Sequence, residues 1–285
     1  MRKGTEQDYR ERISKVQRYI QEYLDEPISL EQLAKVACFS PFHFHRLFGA
    51  MVGESVKEYA RRLRLERSAN LVRYSKRSFL EIGIEAGYES HAAFSRAFKK
   101  RFGCSPQVYR DSKEVPPLEN FVLTHKEGRK VMDVTVKKMD AMKVAAVRHI
   151  GPYKECKGTW EMLCSSLPPS YLSNPNTLYI GISYDDPDVT EASQLRYDAC
   201  VTVDEALSLK EPLTTQVVEG GIYAVYVHKG SYDGLHDAYR GLYGQWLPQS
   251  GYEPKAAPTF EIYRNSPDTT PTEELITEIC IPLQG

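Results

Sequence analysis

Apolar residues recur at three- and four-residue spacing through the first half of the chain: Ile13, Val16, Ile20 and Leu24, then Leu30, Leu33 and Val36. That period predicts a series of helices, each with one apolar stripe. Sliding the sequence by fifty places lays Leu30 on Leu80, Ser40 on Ser90, Phe44 on Phe94, Arg46 on Arg96, Phe48 on Phe98, Gly53 on Gly103, Ser55 on Ser105 and Tyr59 on Tyr109. Eight identities in one ungapped register mark an internal repeat. Each copy carries the punctuation of a helix, a short turn and a second helix. In the first, 30 to 38 forms a helix, Phe39 turns, and Ser40 caps a helix that opens with Pro41, whose missing N–H costs nothing there. In the second, 80 to 86 is followed by Gly87, suited to a left-handed cap, and Ser90 caps a helix running to Phe102. Phe44, Leu47 and Phe48, like Phe94, Ala97 and Phe98, share one inward face. Opposite them the pattern puts Phe42, His43, His45 and Arg46 in the first copy, and His91, Ala92, Ser95, Arg96, Lys99 and Lys100 in the second. His43 and His45 stand two apart and so point to different sides of a helix, which argues against a metal site.

From about Val131 the pattern changes to strands alternating with single helices. A second repeat has an offset of 79, with His149-Ile150-Gly151-Pro152-Tyr153 over His228-Lys229-Gly230-Ser231-Tyr232. Cys156, Trp160, Leu163 and Leu167 then fall on Leu235, Tyr239, Leu242 and Trp246, and Tyr184 on Tyr263. Each copy reads strand, strand, helix, strand, strand: about 132 to 138, 142 to 149, 153 to 167, 177 to 184 and 196 to 203, then 212 to 218, 221 to 228, 232 to 249, 258 to 264 and 276 to 283. Two such units are expected to pair into one antiparallel sheet with both helices on one face and a groove on the other. The expected fold class is therefore multidomain: an all-α double helix-turn-helix domain (1–113), a linker (114–130) whose Pro116-Pro117 pair interrupts helical periodicity, and an α+β domain of two pseudo-symmetric units (131–285).

Length agrees with two domains, since 285 residues exceed the usual ~100–200 of one. Hydrophobic residues at 41% and charged residues at 26% are ordinary globular values and argue against a disordered or coiled-coil chain. No apolar run approaches the ~18 residues of a membrane span, and the opening Met1-Arg2-Lys3-Gly4-Thr5-Glu6 lacks a signal-peptide core. The expectation is a cytoplasmic, nucleoid-associated protein without membrane contact. The six cysteines contain no C-x-x-C pair, so neither a disulfide framework nor a zinc cluster is expected, and no cofactor is implied.

The net charge of -1 is a cancellation. Residues 1–113 hold 22 Lys and Arg against 14 Asp and Glu, or +8; residues 114–285 hold 15 against 24, or -9. Such a division points to different partners for the two halves, a polyanion for the first. A helix whose first residues reach base edges, flanked by Lys and Arg for phosphates, is what a helix-turn-helix reader requires. Between the copies, 55 to 75 reads as one basic helix with Arg61, Arg62, Arg64, Arg67 and Arg73. At ~1.5 Å per residue it spans about 31 Å, close to the ~34 Å between successive major-groove faces.

The stretch from Gly87-Tyr88-Glu89-Ser90-His91-Ala92-Ala93-Phe94-Ser95-Arg96 through Ala97-Phe98-Lys99-Lys100-Arg101-Phe102-Gly103-Cys104-Ser105-Pro106 resembles the signature of AraC/XylS-type transcription regulators. The resemblance covers about residues 9 to 112. It implies that the second helix of each copy reads double-stranded promoter DNA, with Phe42, His45, Arg46, His91, Ala92 and Arg96 as base-contact candidates and Lys99 and Lys100 beside them. Ala92 and Ala93 depart from the polar residues many relatives carry, which leaves the second reader a thymine methyl at most.

In the strand Thr259-Phe260-Glu261-Ile262-Tyr263, alternation is expected to pack Phe260 and Ile262 under the helices and turn Glu261 and Tyr263 into the groove. The symmetric position in the first unit is Ile182, so the carboxylate breaks the symmetry. A carboxylate among aromatic rings suits an organic cation; equally, Glu261 reads as a solvated strand residue. His149 and His228 recur at equivalent places, which favours an architectural role. Residues 131–285 resemble the GyrI-like effector-binding domain through Gly230-Ser231-Tyr232, Trp246-Leu247-Pro248-Gln249-Ser250-Gly251-Tyr252, Pro258-Thr259-Phe260-Glu261-Ile262-Tyr263 and Thr277-Glu278-Ile279-Cys280-Ile281-Pro282-Leu283. In multidrug-binding relatives a buried Glu contacts cationic ligands, and Glu261 is the matching position. Tyr263, Tyr153, Trp160 and Tyr184 join it as candidate effector-binding residues.

An AraC-type reader joined to a GyrI-like domain is the arrangement of Rob-like regulators. It implies a ligand-responsive transcription factor that binds promoter DNA, a small cationic or amphipathic effector and RNA polymerase, and that is not an enzyme. Two alternatives stand beside it. Some GyrI-like domains resemble small-molecule hydrolases, although Gly181-Ile182-Ser183-Tyr184-Asp185 lacks the last glycine of a nucleophile elbow. Others act as protein-sequestering modules.

Overall fold

The computed structural model describes residues 5–112 and 132–285, apart from 186, 188, 189, 205, 206 and 208. The linker expected at 114–130 lies outside the described residues.

Among the described residues, seven helices form the first half: α1 (Glu6–Glu22), α2 (Leu30–Val36), α3 (Pro41–Val52), α4 (Val56–Tyr74), α5 (Phe79–Glu85), α6 (His91–Phe102) and α7 (Pro106–Asp111). Local chemistry fixes their starts. Ser29, Ser55 and Ser78 each close a capping box with Gln32, Glu58 and Glu81, satisfying backbone donors that the first turn leaves open. Gly53 and Gly103 end α3 and α6 in the left-handed conformation. Phe44, Leu47 and Phe48 enter one core, Phe94 and Phe98 a second.

The repeat differs from its expected register by one residue. Caps Ser29 and Ser78 lie 49 apart in sequence, whereas Ser55 and Ser105 lie 50 apart. The first turn bends at Cys38 (φ 53°) and the second at Gly87 (φ 84°), after which the second copy takes one more residue to reach Ser90. The partner of Leu30 is therefore Phe79, which packs on the second core. Leu80 is about half exposed, so its match with Leu30 was accidental.

The arginines of α4 are largely engaged within the fold. Arg62 bridges Glu54 and Glu66, and Glu66 also takes Arg101 from α6. Arg67 pairs with Asp25, and Arg64 donates to the Leu24 carbonyl at 2.9 Å. This helix is a brace between the two copies before it is a phosphate rail.

In the second half, β1 (Val134–Met139), β2 (Met142–Ile150), β3 (Tyr179–Ser183), β4 (Arg196–Thr202), β5 (Thr214–Val218), β6 (Gly221–Lys229), β7 (Phe260–Tyr263) and β8 (Ile276–Leu283) form one antiparallel sheet in the order β1-β6-β8-β7-β3-β4-β2-β5. That order is the same read from either end once each strand is exchanged for its equivalent in the other unit, which is the signature of a two-fold. Helices α8 (Lys157–Ser165), α9 (Pro169–Leu172), α10 (Leu235–Gly241) and α11 (Leu247–Ser250) complete the half, with a π-helical turn, Leu242–Trp246, between the last two.

Helix α8 packs on Ala145, Val147, Tyr197 and Ala199, and α10 with the π turn on Ala224, Ile279 and Ile281, so both units carry their helix on the same sheet face. Among the described residues, the opposite face is a closed apolar core and not a groove. Val144, Ile180, Ile182, Cys200, Val218, Val225, Phe260, Ile262 and Cys280 close it as one buried cluster. The β1–β2 and β5–β6 connections cross there so tightly that a Cβ on Gly220 would lie 2.8 Å from the Ala141 nitrogen.

A one-residue slip occurs in this repeat too. His149 and His228 are 79 apart, but Cys200 and Cys280 are 80 apart and occupy equivalent ladder positions. The π turn between them accommodates the extra residue, as such turns do. Two expectations change as a result. The counterpart of Glu261 is Gly181, its direct neighbour across the β3–β7 ladder, and not Ile182. Tyr184 is not the equivalent of Tyr263.

The two halves share a core. Tyr9, Phe39, Phe44 and Phe48 cluster with Leu242, Tyr243, Leu247 and Ile281. At the rim, Arg12 makes a two-pronged bond to Glu253 (2.9 and 3.2 Å), and the Tyr9 hydroxyl donates to the Tyr252 carbonyl at 2.9 Å.

Candidate effector cleft and DNA-reading helices

Strand alternation holds in β7, but its faces are the reverse of those expected. Phe260 and Ile262 point into the closed side, and Glu261 and Tyr263 point under the helices. Glu261 is buried, with 6% of its surface exposed. The Tyr239 hydroxyl, from α10, donates to its Oε1 at 2.9 Å, and the Tyr263 hydroxyl to Oε2 at 2.6 Å. Because the Tyr263 proton is engaged with the carboxylate, Tyr197 is the donor in the 3.2 Å bond between the two phenols. The Trp160 indole N–H donates to Tyr197 at 3.2 Å. The chain of donors runs from α8 through β4 to β7 and ends on one carboxylate.

Aromatic faces wall the site. Trp160 stands edge-on to Tyr263 (centroids 5.7 Å apart), as does Tyr232 (5.6 Å). Gly181 makes room for this arrangement: a Cβ there would lie 2.6 Å from the Tyr263 hydroxyl oxygen and closer still to that of Tyr197. Burial pushes the Glu261 carboxyl up; the hydrogen bonds from Tyr263 and Tyr239 and the nearby Arg46 charge pull it down. Burial beside that carboxylate raises both Tyr239 and Tyr263 far above an ordinary phenol, so they remain donors.

Of the five residues expected around an effector, Glu261, Tyr263 and Trp160 come together. Tyr153 sits at the margin, 5.9 Å from the Tyr197 ring, with its hydroxyl on the Asp185 carbonyl (2.7 Å). Tyr184 lies on the other side of the sheet, bonded to Asp198 with Arg148 over its ring. Asp198 there is fully buried and accepts from Arg148, Gln216 and Tyr184, bonds that hold its carboxyl below the usual range against desolvation. Tyr197, Tyr232 and Tyr239 were not among the residues expected at the site. Their signal was strand parity from Gly181 and the helix stripe through Trp160, obscured by the wrong register. His149 and His228 bond the Pro152 and Ser231 carbonyls identically, at 3.1 and 2.9 Å, and so pin matching turns.

The reading helices differ from each other. On α6, His91, Ala92, Arg96, Lys99 and Lys100 are all exposed. Of the α3 candidates, Phe42 and Arg46 are half-buried. His43 and His45, expected on the outer face, are buried. His45 Nδ1 lies 3.0 Å from the Pro41 carbonyl. His43 Nε2 donates to the Lys255 carbonyl (2.6 Å), while Nδ1 accepts from the Tyr243 hydroxyl (2.8 Å), which accepts from Thr259 (2.9 Å). Burial lowers the imidazole to about 3. Arg46 stacks on Tyr239, its guanidinium carbon 4.2 Å from the ring centroid.

Residues 132–284 match the family of the GyrI-like small molecule binding domain, and residues 33–112 a helix-turn-helix domain. The chain is 26% identical to the right origin-binding protein of Escherichia coli K12, across 93% of this chain and 96% of that one. It is 24% identical to the transcriptional regulator Rob of Salmonella typhimurium, over the same shares. A crystal structure of the EcmrR C-terminal domain covers 54% of this chain and 98% of its own, with 21% identity and a TM-score of 0.43. No helix among the described residues is long and apolar enough to cross a membrane. The chain belongs to the GyrI-like family, whose domain it carries behind an AraC-type helix-turn-helix domain in the manner of the Rob-like transcriptional regulators.

Proposed function

We propose that this DNA-binding regulator takes up an organic cation at the buried Glu261, among the rings between α8 and α10, and reads promoter DNA with α3 and α6. The observation that carries the effector reading is a buried carboxylate held by two phenol donors and walled by Trp160, Tyr232 and Tyr263. A desolvated cation over aromatic faces gains up to ~2 kcal/mol per contact, and the anion supplies the selectivity for positive charge. Around Glu261 stand the Tyr239 and Tyr263 phenols, the Arg46 guanidinium and the His228 imidazole. His45 is buried and drops out, so the base-contact residues are Phe42, Arg46, His91, Ala92 and Arg96, with Lys99 and Lys100 on phosphates. The exposure of the last five supports that role for α6. Residues 1–113 and 131–285 are the proposed domains, joined by 114–130, and RNA polymerase is the proposed protein partner at the promoter, in the cytoplasm.

The test is a fluorescence titration of the full chain and its Glu261→Gln variant with tetraphenylphosphonium and rhodamine dyes. Removing the charge weakens binding at least tenfold, about 1.4 kcal/mol. Equal affinities contradict the carboxylate cleft.

A further inference from the structure

We propose that Arg46 is an internal ligand of the Glu261 cleft, which an organic cation displaces from its docked position to an outward one that DNA can use. The inference rests on the effector reading above and adds its regulation.

On α3, at 100° per residue, His43, Arg46 and Ala50 form a stripe facing the other half, while Phe42, Arg46 and Gly49 form the adjoining outward stripe. Arg46 is common to both. It is also the one Lys or Arg in the helix. The second copy shows what this face looks like when it is not docked. There Arg96, Lys99 and Lys100 are exposed, whereas the first copy replaces the two lysines by Gly49 and Ala50. Those small residues admit the π turn: a Cβ on Gly244 would lie 2.9 Å from the Ala50 Cβ and 3.0 Å from its carbonyl oxygen. The docking stripe is fitted to its partner, with His43 held between Tyr243 and the Lys255 carbonyl.

Within that contact the Arg46 guanidinium lies 4.2 Å from the Tyr239 centroid and 5.7 Å from that of Tyr243, and the Tyr239 hydroxyl bonds Glu261. It thus meets a ring face beside a buried anion, the two features that an external organic cation would use. A cation that enters displaces the guanidinium to the outward stripe, where it can meet a base edge. DNA that holds Arg46 outward leaves the cleft open, and by linkage each ligand strengthens the other by the same factor.

The experiment measures tetraphenylphosphonium affinity in the full chain for the wild type and for Arg46→Ala, Arg46→Met, Arg46→Lys and Glu261→Gln, with a thermal melt of each. If Arg46 fills the cleft nine-tenths of the time, Arg46→Ala and Arg46→Met bind about tenfold tighter. Arg46→Lys restores the wild-type value, and Glu261→Gln binds weakly. Unchanged or weaker binding in both neutral variants, with Glu261→Gln still impaired, overturns the internal ligand and leaves the cleft standing. Should Arg46→Ala not fold, the isosteric Arg46→Met against Arg46→Lys decides. Binding that does not depend on Glu261 in any background overturns both.

Discussion

Arg46 and Tyr239 meet face to face across the boundary between the halves, 4.2 Å from guanidinium carbon to ring centroid, and the hydroxyl of the same ring donates to Glu261. One phenol therefore touches both the helix that resembles a DNA reader and the carboxylate proposed to hold the effector.

Tyr239→Phe separates these contacts, because it keeps the ring and removes the donor. A buried carboxylate that loses one of two phenol bonds is destabilised by ~1.5–3 kcal/mol. Since those bonds favour the charged form, the Glu261 carboxyl rises further. Thermal unfolding should show the loss, and cation binding should weaken at a higher pH than in the wild type as pH falls.

Arg96 is exposed on α6, and Arg46, its repeat partner, is docked. Arg96→Ala should weaken binding to a duplex selected from a random pool without altering cation affinity. If Arg46 reads a guanine, Arg46→Ala costs ~1–3 kcal/mol on the selected duplex and little on random DNA. Equal losses on the two DNAs contradict base reading; electrophoretic mobility shifts distinguish the cases.

His43 sets a pH dependence on the docked interface. It faces the Tyr243 hydroxyl, the carbonyls of Lys255 and Ala257, and the charges of Arg46 and His45, and it stays neutral down to about 3. Once exposed it titrates near 6.5, so between those values the unfolded chain holds a proton that the folded chain refuses. Stability is complete above pH ~6.5 and falls as pH drops, by up to ~1.4 kcal/mol per unit. Melts of the wild type and His43→Leu between pH 7.5 and 5 check this: the variant is less stable at neutral pH and loses less on acidification.

Gly181→Ala puts a methyl against the Tyr197 and Tyr263 hydroxyls. The expected outcome is ~1–3 kcal/mol of destabilisation and a weakened cation site, since both rings must move off the line to Glu261. A melt combined with a tetraphenylphosphonium titration measures both. Unaltered affinity would show that the ring positions do not matter.

Much of this arrangement was legible in the sequence because each half repeats itself. The Ser90 cap, the strand sequence and the helix–strand division follow from local propensity and period, whereas Ser40 starts α3 without a side-chain cap bond. What the sequence obscured were two single-residue slips. One lies in the turn at Gly87, the other at the π turn 242–246, and neither disturbs an apolar stripe. The second moved the counterpart of Glu261 from Ile182 to Gly181 and placed Tyr184 on the wrong side of the sheet. Strand alternation cannot say which face the helices cover when both faces are buried, so Glu261 was assigned to the face opposite its true one. The docking of α3 has only a faint trace, in Gly49 and Ala50 where the other copy has lysines. That shared core also bears on the charge division: cutting the chain at 113 would expose Phe44's cluster, so its consequences belong to the full-length protein.

The most direct measurement is the affinity of the full chain for its selected duplex, at fixed salt, with and without saturating tetraphenylphosphonium, in the wild type and in Glu261→Gln. The cation is expected to tighten DNA binding by the wild type several-fold and to leave Glu261→Gln unmoved. A wild type that binds the cation through Glu261 and yet holds DNA with the same affinity in its presence would contradict this.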